Sequence, residues 1–224
     1  MKKFVLLDST PIPDEGIDLC LFEYGDDFII KREDGKGGQL MNTRMHGSED
    51  ALGRLPCAEI AGRTDARVLI GGLGMGFTLA AALAELDAQA QVLVAELLEG
   101  VIRWNQGPLG AKAGYPTRDP RAQVLHEDVA RILKTDTQKF DAILLDVDNG
   151  PEGLTQSVNS WLYSTDGLQG CKRALRPCGV LAVWSASIDQ RFSARLRSAG
   201  FRVNEVQVFA HGNRGPKHTI WFAR

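Results

Sequence analysis

An α/β fold built on a mostly parallel seven-stranded sheet is predicted by three features of this 224-residue sequence. From Ala66 onward, apolar strand-like runs (residues 67–70, 91–94, 123–125, 140–145 and 180–184) alternate with helix-like segments (78–86, 97–106, 129–133, 166–175 and 192–199). Such alternation builds a parallel sheet with helices on both faces. The first strand ends in glycines at alternate positions, Gly72, Gly74 and Gly76, directly before an alanine-rich helix. Finally, residues 202–209 and 218–223 are joined by a short turn through Gly212-Asn213-Arg214-Gly215-Pro216, which forces the two strands to run antiparallel.

The segment before this pattern is smaller. Strand-like runs at 4–7, 17–24, 28–31 and 39–41 are separated by turn formers such as Pro11, Pro13, Gly16 and Gly25-Asp26-Asp27, which predicts a short antiparallel β-flap. Residues 1–46 are assigned to this flap and residues 47–224 to a second, Rossmann-like domain. Ser48 is placed to cap a helix carrying Glu49 and Asp50 in its first turn and Leu52 and Leu55 on one face. Pro56 is expected to distort that helix or end its first part. In the later helices Leu168, Cys171 and Leu175 share one face, as do Phe192 and Leu196.

Composition narrows the function classes. A net charge of −2 argues against a broad nucleic-acid or membrane-surface footprint. The four cysteines (Cys20, Cys57, Cys171, Cys178) have no C-x-x-C spacing, which favours reduced thiols over a disulfide frame or a zinc site. Asp8 interrupts the apolar stretch after Met1-Lys2-Lys3, so no signal peptide is expected. No segment approaches the roughly 20 apolar residues of a membrane helix. The expectation is a soluble, cytoplasmic protein with no metal, no nucleic-acid partner and no membrane.

Five parallel strand-helix units closed by a hairpin form the methyltransferase-type sheet, whereas a dinucleotide fold more often continues strand-helix-strand. The glycine spacing agrees. It reads G-x-G-x-G, with Phe77 where G-x-G-x-x-G would place its last glycine, and this looser pattern suits the nucleoside of S-adenosylmethionine. Ligands of open α/β sheets lie over the carboxyl ends of the strands, so the residue ending each strand matters. The first strand ends in the glycine loop, with free backbone N–H groups. The second ends at Glu96, placed to accept from both ribose hydroxyls. The third runs into His126-Glu127-Asp128, where Asp128 is placed to accept from an adenine amino group. Either acid would equally serve as a cap of the helix that follows it. The fourth strand ends in Asp146-Val147-Asp148-Asn149-Gly150. Asp146 follows four apolar residues, so it should be partly desolvated with a raised pKa; Asp146 and Asp148 are the catalytic candidates, suited to deprotonating or holding an amine. Shaping the turn is the alternative role for both. His46, with Arg44, precedes the first long helix and is placed to close over the pocket. Trp161 and Tyr163 are placed to wall an acceptor site, while Trp104 and Trp184 are assigned to packing.

These residues resemble the spermidine synthase (polyamine aminopropyltransferase) family over roughly residues 38–224. The resemblance is carried by residues 68–79, Glu96, Glu127-Asp128, the Asp146 loop, and the run from Leu162-Tyr163-Ser164-Thr165 to Cys171-Lys172-Arg173-Ala174-Leu175-Arg176-Pro177, which is similar to the family's L-F/Y-T…CKRALKP-G segment. It implies that Glu96 binds ribose, Asp128 adenine, and that Asp146 is the catalytic acid/base, with Gln39 matching a pocket glutamine. A homodimer is also implied. The chain departs from the family in several places. Met75 stands where the family's G-G-G-D-G-G loop has aspartate, and Asp146-Val147-Asp148-Asn149-Gly150 replaces D-S-x-D-P. The acid and tyrosine that bind the polyamine before the first helix are missing; Met45, His46 and Ser48 lie there, with Asp50 the remaining acid.

The donor is therefore expected to be S-adenosylmethionine or its decarboxylated form, used as a co-substrate, and the acceptor a small molecule, most simply an amine. Because an aspartate at position 75 would repel the α-carboxylate of the full donor and Met75 does not, methyl transfer is narrowly favoured over aminopropyl transfer. A nucleoside-binding scaffold without catalysis is the alternative from another class, and a nicotinamide-dependent oxidoreductase is a more distant one.

Overall fold

The computed structural model describes residues 3–33, 38–147, 160–212 and 214–224. The N-terminal segment forms a four-stranded antiparallel sheet from β1 (Phe4–Pro11), β2 (Asp18–Tyr24), β3 (Asp27–Arg32) and β4 (Gln39–Asn42), in that order. It is larger than the strand pattern suggested because β1 continues through Asp8 to Pro11. The helix α1 (Gly47–Ile60) leads into β5 (Arg67–Gly71), α2 (Phe77–Glu85), β6 (Gln91–Glu96), α3 (Glu99–Gln106) and a short α4 (Pro108–Lys112). After a single 3₁₀ turn at Pro116–Arg118 come β7 (Ala122–His126), α5 (Val129–Thr135) and β8 (Phe140–Leu145). The chain closes with α6 (Thr165–Ala174), β9 (Leu175–Ser185), α7 (Gln190–Ser198), β10 (Val203–His211) and β11 (Arg214–Ala223).

The second sheet has seven strands in the order β10-β11-β9-β8-β5-β6-β7. The five strands from β9 to β7 are parallel, and β11 lies antiparallel between β9 and β10. Strand order reverses between β5 and β8, where the chain returns from β7 to the other side of β5; ligand crevices open at such a switch. All six residues of β8 are buried, as expected of a central strand with helices on both faces. One face packs with α1, α2 and α3 into a core including Leu52, Leu79, Val101, Trp104 and Leu144. The opposite face packs with α5, α6 and α7 around Leu133, Leu168, Cys171, Phe192 and Trp221. The four cysteines are free thiols, Cys178 alone being exposed.

Three local expectations need correction. Pro56 neither breaks nor ends α1, which runs unbroken to Ile60. Leu52, Pro56, Cys57 and Ile60 are all buried, so packing outweighs the backbone hydrogen bond that proline forgoes. Ser48 is not a cap; the helix begins at Gly47 without a side-chain cap. The strand expected at 180–184 begins at Leu175, because the register slips between Phe140↔Leu175 and Ala142↔Val180. That slip accommodates Pro177 and Cys178, the latter at a φ of 57°.

Two contacts fix the parts that frame the crevice. A Cβ on Gly53 would lie 2.3 Å from the Thr78 carbonyl oxygen, so α1 and α2 touch through backbone. On the other side, Asp8 of β1 accepts hydrogen bonds from Arg103 Nη2 (2.6 Å) and Trp104 Nε1 (2.8 Å) of α3. A Cβ on Gly100 would lie 2.5 Å from Thr10 Cβ, so β1 rests directly on that helix.

At the amino-terminal end of the parallel strands, opposite the crevice, Asp141 is the one charged residue of β8 and is 1% exposed. Its carboxylate takes Arg63, Arg176 (2.9 Å) and the Arg67 N–H (2.8 Å), and Arg63 also donates to the Cys178 carbonyl (2.8 Å). The cluster ties the α1–β5 turn to the irregular start of β9. Asp141→Ala leaves these donors without their buried acceptor and is expected to cost about 3 kcal/mol of stability, read by chemical denaturation. A change under about 0.5 kcal/mol would show the cluster to be merely decorative.

Candidate active site

A cavity of about 340 Å³ opens over the carboxyl ends of β5, β6, β7 and β8. Its floor is the glycine loop from Gly72 to Met75, and the N-terminal sheet covers it through Leu19, Ile30, Leu40 and Met41. The closing hairpin and β9 supply a further wall with Ala210, Pro216, His218 and Trp184. Trp184 is therefore not simply a packing residue: it lines this space and sets its ring at 74° to His218.

The glycine loop is held by side chains from two directions. Gly72, Gly74 and Gly76 all adopt positive φ, at 88°, 49° and 86°. A Cβ on Gly72 would strike the Asp146 carbonyl oxygen at 2.2 Å, and one on Gly76 would meet Asn105 Oδ1 at 2.8 Å. Packing thus demands glycine at both positions. A Cβ on Gly74 would make only ordinary contact, with Met41 Sδ at 3.5 Å, though its φ of 49° still favours glycine. Gly72 and Gly74 line the cavity, whereas Gly76 lies behind it, between the loop and α2. Asn105 was not singled out by the sequence. It is fully buried, and its Nδ2 donates to the Gly74 carbonyl at 2.9 Å.

Glu96 lines the cavity at the end of β6. Its Oε2 accepts from Leu73 N and its Oε1 from Leu98 N, both at 2.8 Å. Burial pushes its carboxyl pKa up while these amides pull it down. The amides of Gly74 and Leu97 act on it as well, so the carboxylate is held by the backbone of both the glycine loop and the turn into α3. Asp128 also lines the space and caps α5, with Oδ1 accepting from Ala130 N at 2.8 Å. For Asp128, capping and cavity lining coexist.

The most perturbed groups sit on either side of the first-strand loop. Asp146 leaves β8 with its carboxyl buried, which raises its pKa to about 6 despite a 2.7 Å hydrogen bond from Thr78 Oγ1; the nearby Glu96 charge raises it further. Facing it from α1 is Glu49, pushed to about 7 first by burial and then by the charge of Asp146. The charge of Asp146 thus favours a proton on Glu49, and the protons of two such neighbours belong to the pair rather than to either residue. Glu49 stands in the sequence as an ordinary first-turn acid. Only the close approach of α1 to α2 turns it inward, which no local pattern announces.

Of the remaining sequence candidates, Gln39 lines the cavity from β4. His46 and Asp50 pair with each other instead (Nδ1 to Oδ2, 2.8 Å), and His46 stacks on Phe77 at 3.9 Å, outside the wall that Phe77 forms. Trp161 packs on the other face of the sheet, near Gly170 and under the Lys134 ammonium at 4.7 Å. None of these three lines the cavity. Asp148 lies outside the described residues. Among the described residues, no group of three His, Cys, Asp or Glu is arranged to hold a metal ion, and no helix is long and apolar enough to cross a membrane.

Residues 49–191 match the spermine/spermidine synthase domain model. The chain belongs to that family. Among curated proteins, polyamine aminopropyltransferase 2 of Pseudomonas aeruginosa is 32% identical over 157 residues, covering 63% of this chain. The chain spans only 41% of that relative's length. Among solved structures, the fold is shared with spermidine synthase from Thermotoga maritima (TM-score 0.73, 18% identity, 97% of this chain and 72% of that one). It is also shared with a probable spermidine synthase from Corynebacterium glutamicum (TM-score 0.64, 16% identity, 98% and 79%). A spermidine synthase bound to the transition state analogue AdoDATO overlaps equally well, at a TM-score of 0.73 and 18% identity over 97% of this chain and 71% of that one. The matched span of this spermine/spermidine synthase domain begins at Glu49 itself.

The raised carboxyl pair fixes a pH dependence. Both groups hold protons in the folded chain that the unfolded chain releases, so their contribution is most favourable below about pH 4. It declines as pH rises until the folded values near 6 and 7 are passed, then levels off. Glu49→Gln removes the second charge and keeps the shape. It is expected to raise stability over the parent by about 2 kcal/mol at pH 8 and by nothing at pH 4. Melting curves at the two pH values check this; an equal gap at both refutes the coupled burial.

Proposed function

We propose that this chain transfers a 3-aminopropyl group from decarboxylated S-adenosylmethionine to a small amine. The carrying observation is the charge of the cavity wall. Among the described residues six carboxyl groups line it (Glu15, Glu49, Glu96, Glu127, Asp128 and Asp146); Glu15 is paired with Arg32 and Glu127 with Arg131 (3.3 Å), which leaves Glu49, Glu96, Asp128 and Asp146 without a cationic partner there. Such a wall suits a donor with both a sulfonium and an ammonium charge and an acceptor that is itself cationic. It disfavours the additional α-carboxylate of the full donor, since an unpaired like charge in a desolvated site is costly. This reverses the narrow preference for methyl transfer drawn from Met75. The acid missing from the glycine loop is offset by Glu49, which enters from α1. Family membership points the same way, and the curated relative is named as a polyamine aminopropyltransferase.

The chemistry asks little of the protein beyond placement. The nitrogen lone pair attacks the carbon bonded to sulfur, the carbon–sulfur bond breaks, and its electrons return to sulfur to give neutral methylthioadenosine. One proton leaves the entering ammonium group. Glu96 and Asp128 hold the nucleoside beside the Gly74 backbone, and Asp146 orients the amine and takes its proton. Orientation for in-line attack supplies the larger share of the acceleration, and the positioned base adds about 10²–10⁴-fold.

Mixing the chain with either donor and a panel of di- and polyamines tests this. The expected outcome is methylthioadenosine and an aminopropylated amine from the decarboxylated donor alone. Asp146→Asn is expected to lower kcat by about a hundredfold or more while methylthioadenosine affinity changes by less than about threefold. A methylated product made from the full donor overturns the proposal. Tight nucleoside binding with no turnover across the panel supports the scaffold alternative instead.

A further inference from the structure

The carboxyl that receives the amine's proton must be emptied before the next turnover, and Asp146 and Glu49 are only partly open to solvent at the cavity wall, where a bound substrate would cover them. Ser48 occupies an unusual position for such a site. It is completely buried, it caps nothing, and its Oγ donates to Glu49 Oε2 at 2.5 Å. The same Oγ lies 2.7 Å from Nδ1 of His218, which comes from β11, 170 residues further along the chain. His218 is half-buried and lines the cavity edge beside Trp184. A carboxyl, a hydroxyl and an imidazole thus run in series from the inner wall toward the solvent side, and a hydroxyl both donates and accepts.

We propose that Glu49, Ser48 and His218 form a relay that carries the acceptor's proton out of the cavity, an inference that rests on the aminopropyl-transfer reading. The Asp146–Glu49 pair takes one proton from the ammonium nitrogen. Once Glu49 is protonated, the Ser48 hydroxyl turns from Glu49 Oε2 to His218 Nδ1; Glu49 then passes a proton to Ser48 Oγ as the hydroxyl gives its own to Nδ1. The imidazolium then releases a proton from Nε2 to water; a flip of the ring, which brings the unprotonated nitrogen back to Ser48, together with rotation of the hydroxyl, resets the chain. One proton enters, one leaves, and no electrons are exchanged. The charges that set these titrations are Asp146 at the end of β8, Glu96 at the end of β6 and His46 at the start of α1, while Trp184 and Ser48 are the groups against His218. Burial holds the His218 imidazole below its usual value, which favours release of the proton it receives. A hydroxyl serving only to tie α1 to β11 would need no titratable group at either end.

The test uses the whole chain with Ser48→Ala, which deletes one hydroxyl, and His218→Asn, which keeps a hydrogen-bonding group near Nδ1 but does not titrate. Both are expected to lower kcat about tenfold or more at neutral pH, with KM for amine and donor within about twofold. The deficit should shrink at high pH, and added imidazole should restore His218→Gly. A kcat within about twofold of the parent, with an unshifted pH profile, overturns the relay. Nitrogen NMR of the His218 ring gives a readout independent of turnover. The parent is expected to show its own inflection and a second from the carboxyl pair, the second vanishing in Ser48→Ala. A single inflection identical in both proteins overturns the relay even if transfer is confirmed. Failure of the parent to transfer from either donor sinks the aminopropyl reading and leaves these resonances to decide the relay.

Discussion

The backbone contact between α1 and α2 at Gly53 decides what the rest of the site can be. With no side chain between Gly53 and the Thr78 carbonyl, the two helices close until Glu49 faces Asp146 and Thr78 reaches the Asp146 carboxyl. Neither acid is placed by its own strand or helix alone. Two carboxyls driven out of water against each other are costly to hold, and the apolar burial of Leu52, Cys57, Ile60, Leu79 and Ala82 around them sustains that cost. The protein therefore keeps a destabilised pair at the place where a cation is expected to arrive.

Much of this frame is legible in the sequence because its signals are local. The unbroken apolar run of β8, the three glycines after β5 and the turn before β11 each encode their own geometry, and together they imply the sheet. Residues at strand ends, Glu96, Asp128 and Asp146, follow from topology, since the crevice lies there in any sheet of this kind. Gln39 came from the resemblance rather than from any local pattern.

The rest depended on contacts that no short window contains. By sequence pattern Glu49 is a first-turn acid and Ser48 a helix cap, because helix-start signals carry no information about what the end packs against. Here that end is pressed against α2 and β11. Asn105 gave no signal, since its partner, the Gly74 carbonyl, sits on a different element. His46 and Trp161 misled for the opposite reason: residues near a site in sequence were assumed to turn toward it, and packing on Phe77 and against Gly170 turned them elsewhere. Pro56 shows the same override at the level of backbone, where burial outweighs propensity.

One helix has a mechanical role that its modest length conceals. The first residues of α3 bear Thr10, its middle grips Asp8 through Arg103 and Trp104, and its end holds the Gly74 carbonyl through Asn105. Roof and floor of the chamber are thereby pinned to a common shaft. Any lifting of the flap therefore transmits strain to the glycine loop, so the top and the bottom of the chamber are geared together.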